Sequence, residues 1–231
     1  MNILVACEES QAVSIAFRLK GHNAYSCDVI NCSGGHPEFH IKQDVISLLN
    51  GHCTFVTMDG TSHSINKQWD MIIAFPPCTY LTFAGNQMLS EKLRTAEQIA
   101  YRKKQRSLAA QFFLSFINAN CKKIAVENPL GYMSTFYRPA DQIIHPYYFG
   151  DNEMKRTCLW LKGLPCLTPI KFYSKPEPLY KRKNGKNVYF VEGCSARNNS
   201  ERQLLRSKTF PGIAAAMASQ WGDTNSTYYL L

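Results

Sequence analysis

The stretch from Trp69 to Thr82 contains a short apolar run that stops at two consecutive prolines. The run, Met71 to Phe75, has the length and composition of a buried strand. Pro76 and Pro77 end it, because proline cannot donate a hydrogen bond to a neighbouring strand. Prolines also fix φ and restrict the residue before them, so the following loop has few conformations available. Cys78 follows at once. We therefore expect a cysteine on a rigid loop at the carboxyl end of a central strand, where open α/β sheets place ligands.

A second apolar run leads to a carboxylate. Residues 123–129 read Lys-Ile-Ala-Val-Glu-Asn-Pro, so Glu127 and Asn128 stand where a predicted strand ends. The helical stretch from Glu91 to Ala119 supplies the crossover that two parallel strands require. We therefore expect Cys78 and Glu127 to reach the same edge of one sheet.

A thiol and a carboxylic acid at one sheet edge are the groups needed to methylate carbon 5 of a pyrimidine. A thiolate that adds at carbon 6 converts the ring into an enamine, whose carbon 5 can attack a methyl donor. A carboxylic acid hydrogen-bonded to ring nitrogen 3 stabilises the charge that develops there. Taken alone, Cys78 is also explained as a small buried hydrophobic residue, which is the usual role of an unpaired cysteine.

These two segments resemble the DNA cytosine-5 methyltransferases. Pro77 and Cys78 match the Pro-Cys nucleophile loop of that family, and Glu127-Asn128 matches its Glu-Asn-Val strand end, with Pro129 in place of Val. The resemblance implies that the loop from Thr79 to Ser90 closes over a flipped base.

The resemblance also implies a fold and a catalytic set. The fold is α/β, a Rossmann-like S-adenosylmethionine-dependent methyltransferase fold with a mostly parallel sheet and helices on both faces. Lys155-Arg156-Thr157 occupies the place of the family's Arg-x-Arg segment, whose second Arg helps to hold the base and the cysteine loop. The implied catalytic residues are Cys78, Glu127, Asn128 and Arg156.

The amino-terminal segment predicts a nucleotide-type cofactor site. Asn2 to Ala6 is a predicted strand, Ser10 a predicted helix cap, and Asn23 to Ser26 a second strand with Asp28 at its end. This strand–helix–strand–acid order is typical of dinucleotide or adenosyl-cofactor sites, in which the acid binds the ribose hydroxyls.

In the family that the chain resembles, this cofactor is S-adenosylmethionine. Gln43-Asp44-Val45 resembles the segment whose Asp contacts the adenine amino group, although a plain helix N-cap also explains Asp44. Residues 6–10, Ala-Cys-Glu-Glu-Ser, replace the family's Phe-x-Gly-x-Gly. Instead of binding a cofactor, Glu8 and Glu9 are also explained as exposed acids in the first turn of a helix, where negative charge is favourable. The predicted cofactor-binding residues are Cys7, Glu8, Ser10, Asp28, Val29, Asp44, Val45, Phe75 and Pro76.

The length of 231 residues fits one domain with a small appendage. The resemblance implies a methyltransferase catalytic domain at residues 1–160 and 206–222 and a short target-recognition-like insert at 161–205, and we expect 223–231 to be a flexible tail. The insert carries the basic segment Lys181 to Lys186, in which Asn184-Gly185 is a hairpin-turn signal. A second basic cluster, formed by Arg94, Arg102, Lys103, Lys104 and Arg106, follows the cysteine loop and could contact phosphates.

Charge and cysteine usage indicate the partner and the compartment. The chain has 26 Lys and Arg against 17 Asp and Glu, a net charge of +9 that favours a polyanionic partner. We expect DNA, with RNA or a free nucleotide as open alternatives. No apolar run is long enough for a membrane span, and no signal peptide is recognisable. The 9 cysteines, an odd number without paired spacing, indicate reduced thiols in a cytosolic protein. The resemblance to a compact member of the methyltransferase family implies a bacterial or phage-host cytoplasm. His36 and His40 have no evident third ligand, so no metal is predicted.

Two other functions stay open. An amino methyltransferase uses a polar-Pro-Pro-aromatic motif, which Phe75-Pro-Pro-Cys78 partly imitates. That reaction leaves Glu127 without a role, which favours carbon-5 methylation. A non-catalytic nucleic-acid-binding protein of the same fold is the other alternative. The altered glycine turn supports it, whereas the Cys and Glu pair opposes it.

Overall fold

The computed structural model describes residues 1–170, 174–185, 187–189 and 208–222. Its centre is a seven-stranded sheet in the order β3-β2-β1-β6-β7-β9-β8. The first five strands in this order are parallel, and β9 runs antiparallel to both of its neighbours. The expected α/β architecture with a mostly parallel sheet is therefore confirmed.

Among the seven sheet strands, the central β1, β6 and β7 follow apolar runs of the sequence, whereas the three-residue β3 and β8 correspond to no predicted strand. Their bounds are β1 Asn2–Ala6, β2 Asn23–Asp28, β3 His40–Lys42, β6 Met71–Ala74, β7 Ile124–Asn128, β8 Gln142–Ile144 and β9 Thr157–Lys162. Strand β6 is buried along its whole length. Such a strand reads as an apolar run because both of its faces are covered.

Helices cover both faces of this sheet. Helix α1, Ala12–Leu19, and helix α4, Pro211–Gly222, pack on one face, where Phe17 and Met217 meet Val5 and Ile73. Helix α2, Ala96–Ile117, packs on the other face through Phe113 and Phe116, and α3 is a short helix at Met133–Phe136. Alternate residues of each central strand therefore enter two different apolar clusters, which form the two halves of the core.

Helix α2 is shorter than the sequence indicates, because a capping box fixes its start. The side chain of Thr95 accepts from the backbone N–H of Gln98, and the Gln98 side chain accepts in return from the N–H of Thr95. This reciprocal arrangement satisfies two of the donors that a helix start leaves free. The segment before it forms a 3-10 helix at Phe83–Leu89 within the predicted loop.

Two hairpins lie outside the central sheet. Strands β4, Cys53–Val56, and β5, Ser62–Ile65, form one of them, in the region 51–67 where the sequence allows a connector or an added hairpin. Strands β10, Tyr180–Lys181, and β11, Asn187–Val188, form the other, and Gly185 takes the positive φ of 79° that the Asn-Gly signal predicts.

The first residues of the predicted insert, 161–205, pack with the central sheet and with α4. Leu161 and Lys162 belong to β9 and thus to the central sheet. Trp221 then donates a hydrogen bond to the carbonyl of Pro165 at 3.0 Å, and Thr168 exchanges two with Gln220, so residues 165–168 pack on α4. Residues 171–173, 186 and 190–205 of the predicted insert and the tail 223–231 lie outside the described residues. Within the described part of the chain, no helix combines the length and apolar character that a membrane crossing needs.

Candidate active site

The sheet has one topological switch point, between β1 and β6. From β1 the chain moves outward to β2 and β3 and then returns to the other side of β1 as β6. The loop after β1 leads to α1 on one face, whereas the loop after β6 leads to α2 on the opposite face. The two loops diverge and leave a crevice at the carboxyl ends of the strands, which is where open α/β sheets bind ligands.

Cys78 lies on the loop that forms one wall of this crevice. We call residues 75–90 the Cys78 loop. Its first residue, Phe75, still donates a backbone hydrogen bond to Ala6 at 3.0 Å and so continues the alignment of β6 with β1. Pro76 is buried, Pro77 exposed, and Cys78 half-buried. The cysteine is therefore held close to the sheet edge and keeps part of its surface open.

Glu127 and Asn128 reach the same edge from the neighbouring strand. The pairing of β6 with β7 sets Ala74 opposite Val126. The next residues along the two strands are Phe75, which starts the Cys78 loop, and Glu127. Asn128 is 1% exposed, and its Nδ2 donates to the carbonyl oxygen of Pro76 at 2.9 Å. Adjacent parallel strands thus bring the two predicted catalytic segments together, and an amide side chain connects them.

The carboxyl group of Glu127 lies inside the protein, although the residue keeps some exposed surface. Burial raises the pKa of Glu127, because removal from water disfavours the charged form, and the positive charge of Lys155 opposes this effect. A raised pKa increases the fraction of this group that carries a proton at neutral pH. Glu127 is therefore suited to donate a hydrogen bond to a polar ligand atom.

Arg156 lies at this edge as well, because β9 begins beside the end of β7. The antiparallel pairing sets Cys158 opposite Asn128, and Arg156 directly precedes β9. The side chain of Arg156 is exposed and that of Lys155 half-buried. The charge that acts on Glu127 thus comes from Lys155, a residue that the sequence interpretation did not select.

Helix α2 fixes the conformation of the Cys78 loop through two arginines. Arg102 donates to the carbonyl of Thr79 at 2.9 Å. Arg106, only 9% exposed, donates from Nε to the carbonyl of Tyr80 at 3.1 Å and from Nη2 to Oδ1 of Asn86 at 2.7 Å. These two members of the predicted basic cluster therefore contact the protein itself rather than standing free for phosphates.

The segment after β7 holds the same loop from its other side. Tyr132 donates its backbone N–H to Leu81 at 2.7 Å, and Thr82 pairs with Gly131. A Cβ at Gly131 would overlap the carbonyl oxygen of Leu81, so only glycine allows this approach. The loop that carries Cys78 is thus tied to β7, to α2 and to residues 131–132.

The turn after β1 is built from buried polar groups instead of glycines. Glu8 is 3% exposed, and its carboxylate accepts the N–H groups of Val13 at 2.6 Å and Ser14 at 3.2 Å. Burial raises the pKa of Glu8 to about 7, against the effect of these hydrogen bonds. Glu9 is 7% exposed, so the interpretation of both acids as a solvated first turn is wrong.

The expectation that Ser10 caps α1 is also wrong. Gln11 occupies the N-cap position with a left-handed φ of 60° and no capping side chain. The carboxylate of Glu8 reaches the first-turn amides in its place, because the turn folds back over the helix start. Cys7 adopts a positive φ of 58°, a conformation that glycine usually supplies. The turn therefore has a backbone bend typical of a glycine turn, although it contains no glycine.

A fully buried glutamine connects this turn to the loop after β2. The side chain of Gln11 accepts from the N–H of His36 at 3.0 Å and donates to the His36 carbonyl at 2.9 Å. Ser33 donates to the carbonyl of Glu9 at 2.8 Å. A Cβ at Gly34 would lie 2.6 Å from Ser10 O, too close for any side chain. This connection was not predicted from the sequence, in which Gly34 is a signal of the close approach.

The other predicted cofactor residues lie around the same crevice. Asp28 is the last residue of β2 and is half-buried, whereas Val29 beside it is 67% exposed. Burial raises the pKa of the Cys7 thiol, and the nearby carboxylates of Asp28 and Asp44 raise it further. Asp44 also caps a 3-10 turn by accepting from Ile46 N at 2.9 Å, as the N-cap alternative predicts, and Val45 is buried.

The histidines near this site have structural roles. His40 is fully buried, with Nδ1 2.8 Å from Ser26 Oγ and Nε2 2.9 Å from the carbonyl of Ile30. His36 Nδ1 lies 3.1 Å from Glu38 Oε1. In residues 1–170, 174–185, 187–189 and 208–222, no three His, Cys, Asp or Glu side chains are grouped to hold a metal ion. Both ring nitrogens of His40 are occupied, so it is not available as a ligand.

An aromatic cluster completes the edge beyond β9. Strand β8 runs parallel to β7, so His145, which follows it, lies at the same end of the sheet. Its ring centroid is 5.5 Å from those of Tyr147 and Tyr148. Burial and the charges of Arg156 and Lys175 lower the pKa of His145, which favours a neutral imidazole.

Two open depressions mark the surface. One, of about 700 Å³, lies at the amino-terminal edge of the sheet between Met1, Lys67 and Lys123, far from the strand ends that carry Cys78 and Glu127. The other, of about 460 Å³, lies between the Cys78 loop and the start of α2. The larger depression contains none of the predicted site residues, so volume alone does not locate the chemistry.

Comparison with known proteins adds no relative: no protein-family model and no curated protein matches this chain. The case for a function therefore depends on the geometry of this edge of the sheet.

Proposed function

We propose that this protein transfers a methyl group from S-adenosylmethionine to carbon 5 of cytosine in DNA. The observation that carries the proposal is the pairing of β6 with β7, which brings the Cys78 loop and Glu127 to one sheet edge. The hydrogen bond from Asn128 to Pro76 supports it, because it fixes the two segments relative to each other.

Each residue has a definite role in this reaction. The thiolate of Cys78 adds to carbon 6 of the cytosine and makes carbon 5 nucleophilic, and loss of the carbon-5 proton after methylation expels the thiolate and restores the ring. Glu127 donates a hydrogen bond to ring nitrogen 3, for which it must carry a proton, and its raised pKa favours that form. Asn128 positions the loop, and Arg156 stands at the edge where the base would enter.

The crevice between β1 and β6 supports S-adenosylmethionine as the methyl donor. The order of β3, β2, β1, β6 and β7 matches that of doubly wound nucleotide-binding sheets, which supports a Rossmann-like methyltransferase fold. When bound, this cofactor would supply the methyl group as an electrophile. Asp28 would accept from the ribose hydroxyls, and Oε1 of Glu9, buried without a partner among the described residues, suits a cationic ligand group.

The test is incubation with labelled S-adenosylmethionine and DNA, followed by mass analysis of the nucleosides. We expect 5-methylcytosine. A methylated amino group on cytosine or adenine would instead identify an amino methyltransferase. Transfer to RNA alone would change the substrate, and saturable cofactor binding without any transfer would contradict the proposed reaction.

Variants test the mechanism directly. Cys78→Ala should abolish transfer and retain cofactor binding, since the thiol acts only on the base, whereas Cys166→Ala, at an exposed cysteine remote from the site, is the matched control. DNA containing 5-fluorocytosine should trap a covalent adduct at Cys78. Glu127→Gln keeps the shape but loses the proton, and the transfer rate should fall about 10²- to 10⁴-fold. Full turnover by either site variant would remove that residue from the mechanism.

A further inference from the structure

The groove between the Cys78 loop and the start of α2 has no role in the reaction described above. It measures about 460 Å³, and its walls include Tyr80, Met88, Arg94, Tyr101 and Arg102. This volume lies within the roughly 300–1,000 Å³ that small-molecule sites occupy. Tyr80 stands only two positions after Cys78, so the groove adjoins the nucleophile. A ligand in this groove would lie next to the base to which Cys78 adds in the proposed reaction.

The walls of this groove combine aromatic faces with positive charge. The guanidinium carbon of Arg102 lies 4.7 Å from the ring centroid of Tyr80. The neighbouring side chain of Tyr80 raises the pKa of Tyr101, and Tyr101 remains 59% exposed. Arg94 is exposed and in contact with Met88 through a 3.2 Å approach of Nη2 to the sulfur. Aromatic rings and arginines together are the groups that bind single-stranded nucleic acid, through base stacking and phosphate contacts.

The charge balance and the hydrogen-bond inventory agree with an anionic ligand. Among the described lining residues, Glu97 opposes Arg94 and Arg102, so the walls carry a net positive charge. Lys103 and Lys104, both exposed, continue the positive charge along the helix. Nε of Arg102 is buried without a partner among the described residues, while Nη2 of the same side chain donates to the carbonyl of Thr79 and holds the guanidinium at the groove wall, so the exposed Arg94 is the cation available to a phosphate.

We propose that this groove binds the nucleotide adjacent to the target cytosine, in an unpaired state, with its base on Tyr101 and its phosphate at Arg94. The inference rests on the proposed function, because it assigns the groove to the same DNA strand. Binding of this kind depends on an accessible base face. The protein should therefore bind single-stranded DNA through the groove more strongly than the same sequence in a duplex.

The test measures the dissociation constants of a fluorescein-labelled 20-nucleotide deoxycytidine strand, alone and paired with its complement. Tyr101→Ala should weaken binding of the single strand about fivefold to a hundredfold, the range expected for loss of one stacked base. Tyr101→Phe retains the ring and should bind as the wild type does. Arg94→Ala should weaken binding and lower its salt dependence, whereas Lys104→Ala, on the same helix but outside the groove, is the control of equal charge change.

Several outcomes would overturn the inference. Equal losses in Tyr101→Ala and Lys104→Ala would mean that general charge alone holds the strand. A loss in Tyr101→Phe as large as in Tyr101→Ala would exclude stacking, and a wild-type protein that does not bind the single strand would exclude the groove. The two proposals fail separately: groove-dependent binding without methyl transfer contradicts only the proposed reaction, and methyl transfer with unaffected Tyr101→Ala binding contradicts only the groove.

Discussion

Nδ2 of Asn128 lies 2.9 Å from the carbonyl oxygen of Pro76, and this hydrogen bond joins the end of β7 to the loop that carries Cys78. The contact is buried, with Asn128 at 1% exposure. Proline has no backbone N–H, so the carbonyl oxygen is the polar group of Pro76. This oxygen can only accept a hydrogen bond, and it therefore needs a donor such as Nδ2 of Asn128. The asparagine therefore fixes the distance between the Cys78 loop and the strand of Glu127.

Substitution of Asn128 should affect both stability and rate. Asn128→Ala leaves a buried carbonyl unsatisfied, and the free energy of unfolding should fall by about 1–3 kcal/mol. Asn128→Asp should be worse, because a carboxylate oxygen would face the Pro76 carbonyl. Chemical denaturation and single-turnover methyl transfer measure the two effects. Asn120→Ala, at an exposed position before β7, is the control, and equal behaviour of the two alanine variants would contradict this role for Asn128.

The second prediction concerns Arg106, which contacts two parts of the Cys78 loop at once. A lysine in its place cannot reach both the Tyr80 carbonyl and the Asn86 side chain, because its charge is on one nitrogen. Arg106→Lys should lower kcat about tenfold or more and leave the KM for S-adenosylmethionine unchanged. Steady-state kinetics with each substrate varied will show this split.

Lys104→Ala is the matched control for Arg106, since Lys104 is exposed on the same helix. If Arg106 serves only the overall fold, Arg106→Lys should lower the melting temperature and change kcat no more than a comparable loss of stability elsewhere. That result would remove Arg106 as a positioning residue.

The central strands β1, β6 and β7 and the paired ends of β6 and β7 were predictable from the sequence, because local patterns determine them, whereas β3 and β8 were not predicted. The apolar run Met71–Phe75 and the prolines after it predict β6 and its end, and Glu127 follows the same logic on β7. Gln11 was not predictable, since its partner His36 lies in a loop whose position depends on the whole sheet. Arg106 was misread for a similar reason: a basic helix face has the same sequence whether it meets solvent or a loop.

The third prediction uses the raised pKa of Glu8. The pKa of this carboxyl is about 7 in the folded protein against 4.5 ordinarily. An acid with a raised folded pKa binds more protons folded than unfolded, so its contribution to stability is full below pH 4.5 and declines as the pH rises through 7. The loss should amount to about 3 kcal/mol, at 1.36 kcal/mol per pKa unit.

Glu8→Gln removes this titration and isolates the effect. The difference in unfolding free energy, wild type minus variant, should decrease by about 3 kcal/mol between pH 4.5 and pH 8. Urea denaturation at intervals across this range, without added cofactor, gives the curve. A difference that stays constant with pH would show that Glu8 titrates alike in the folded and unfolded states.

The last prediction concerns the basic tip of the hairpin between β10 and β11. Lys181, Arg182 and Lys183 are exposed there, and the turn is closed by a 2.8 Å hydrogen bond from Gly185 N to the Arg182 carbonyl. If this tip contacts phosphates, neutralising the three side chains together should weaken duplex DNA binding. Each lost contact should reduce the slope of log affinity against log salt by about 0.9, because fewer counterions are released.

Binding isotherms at several salt concentrations with two unrelated duplexes distinguish the possible roles of this tip. Cofactor affinity should not change, because the hairpin forms a sheet of its own and contains none of the predicted cofactor-binding residues. A solvated tip without a partner would leave both affinity and slope at wild-type values and would contradict the prediction. A loss for one duplex and not for the other would mean that the tip reads bases as well as backbone, since phosphate contacts carry no sequence information.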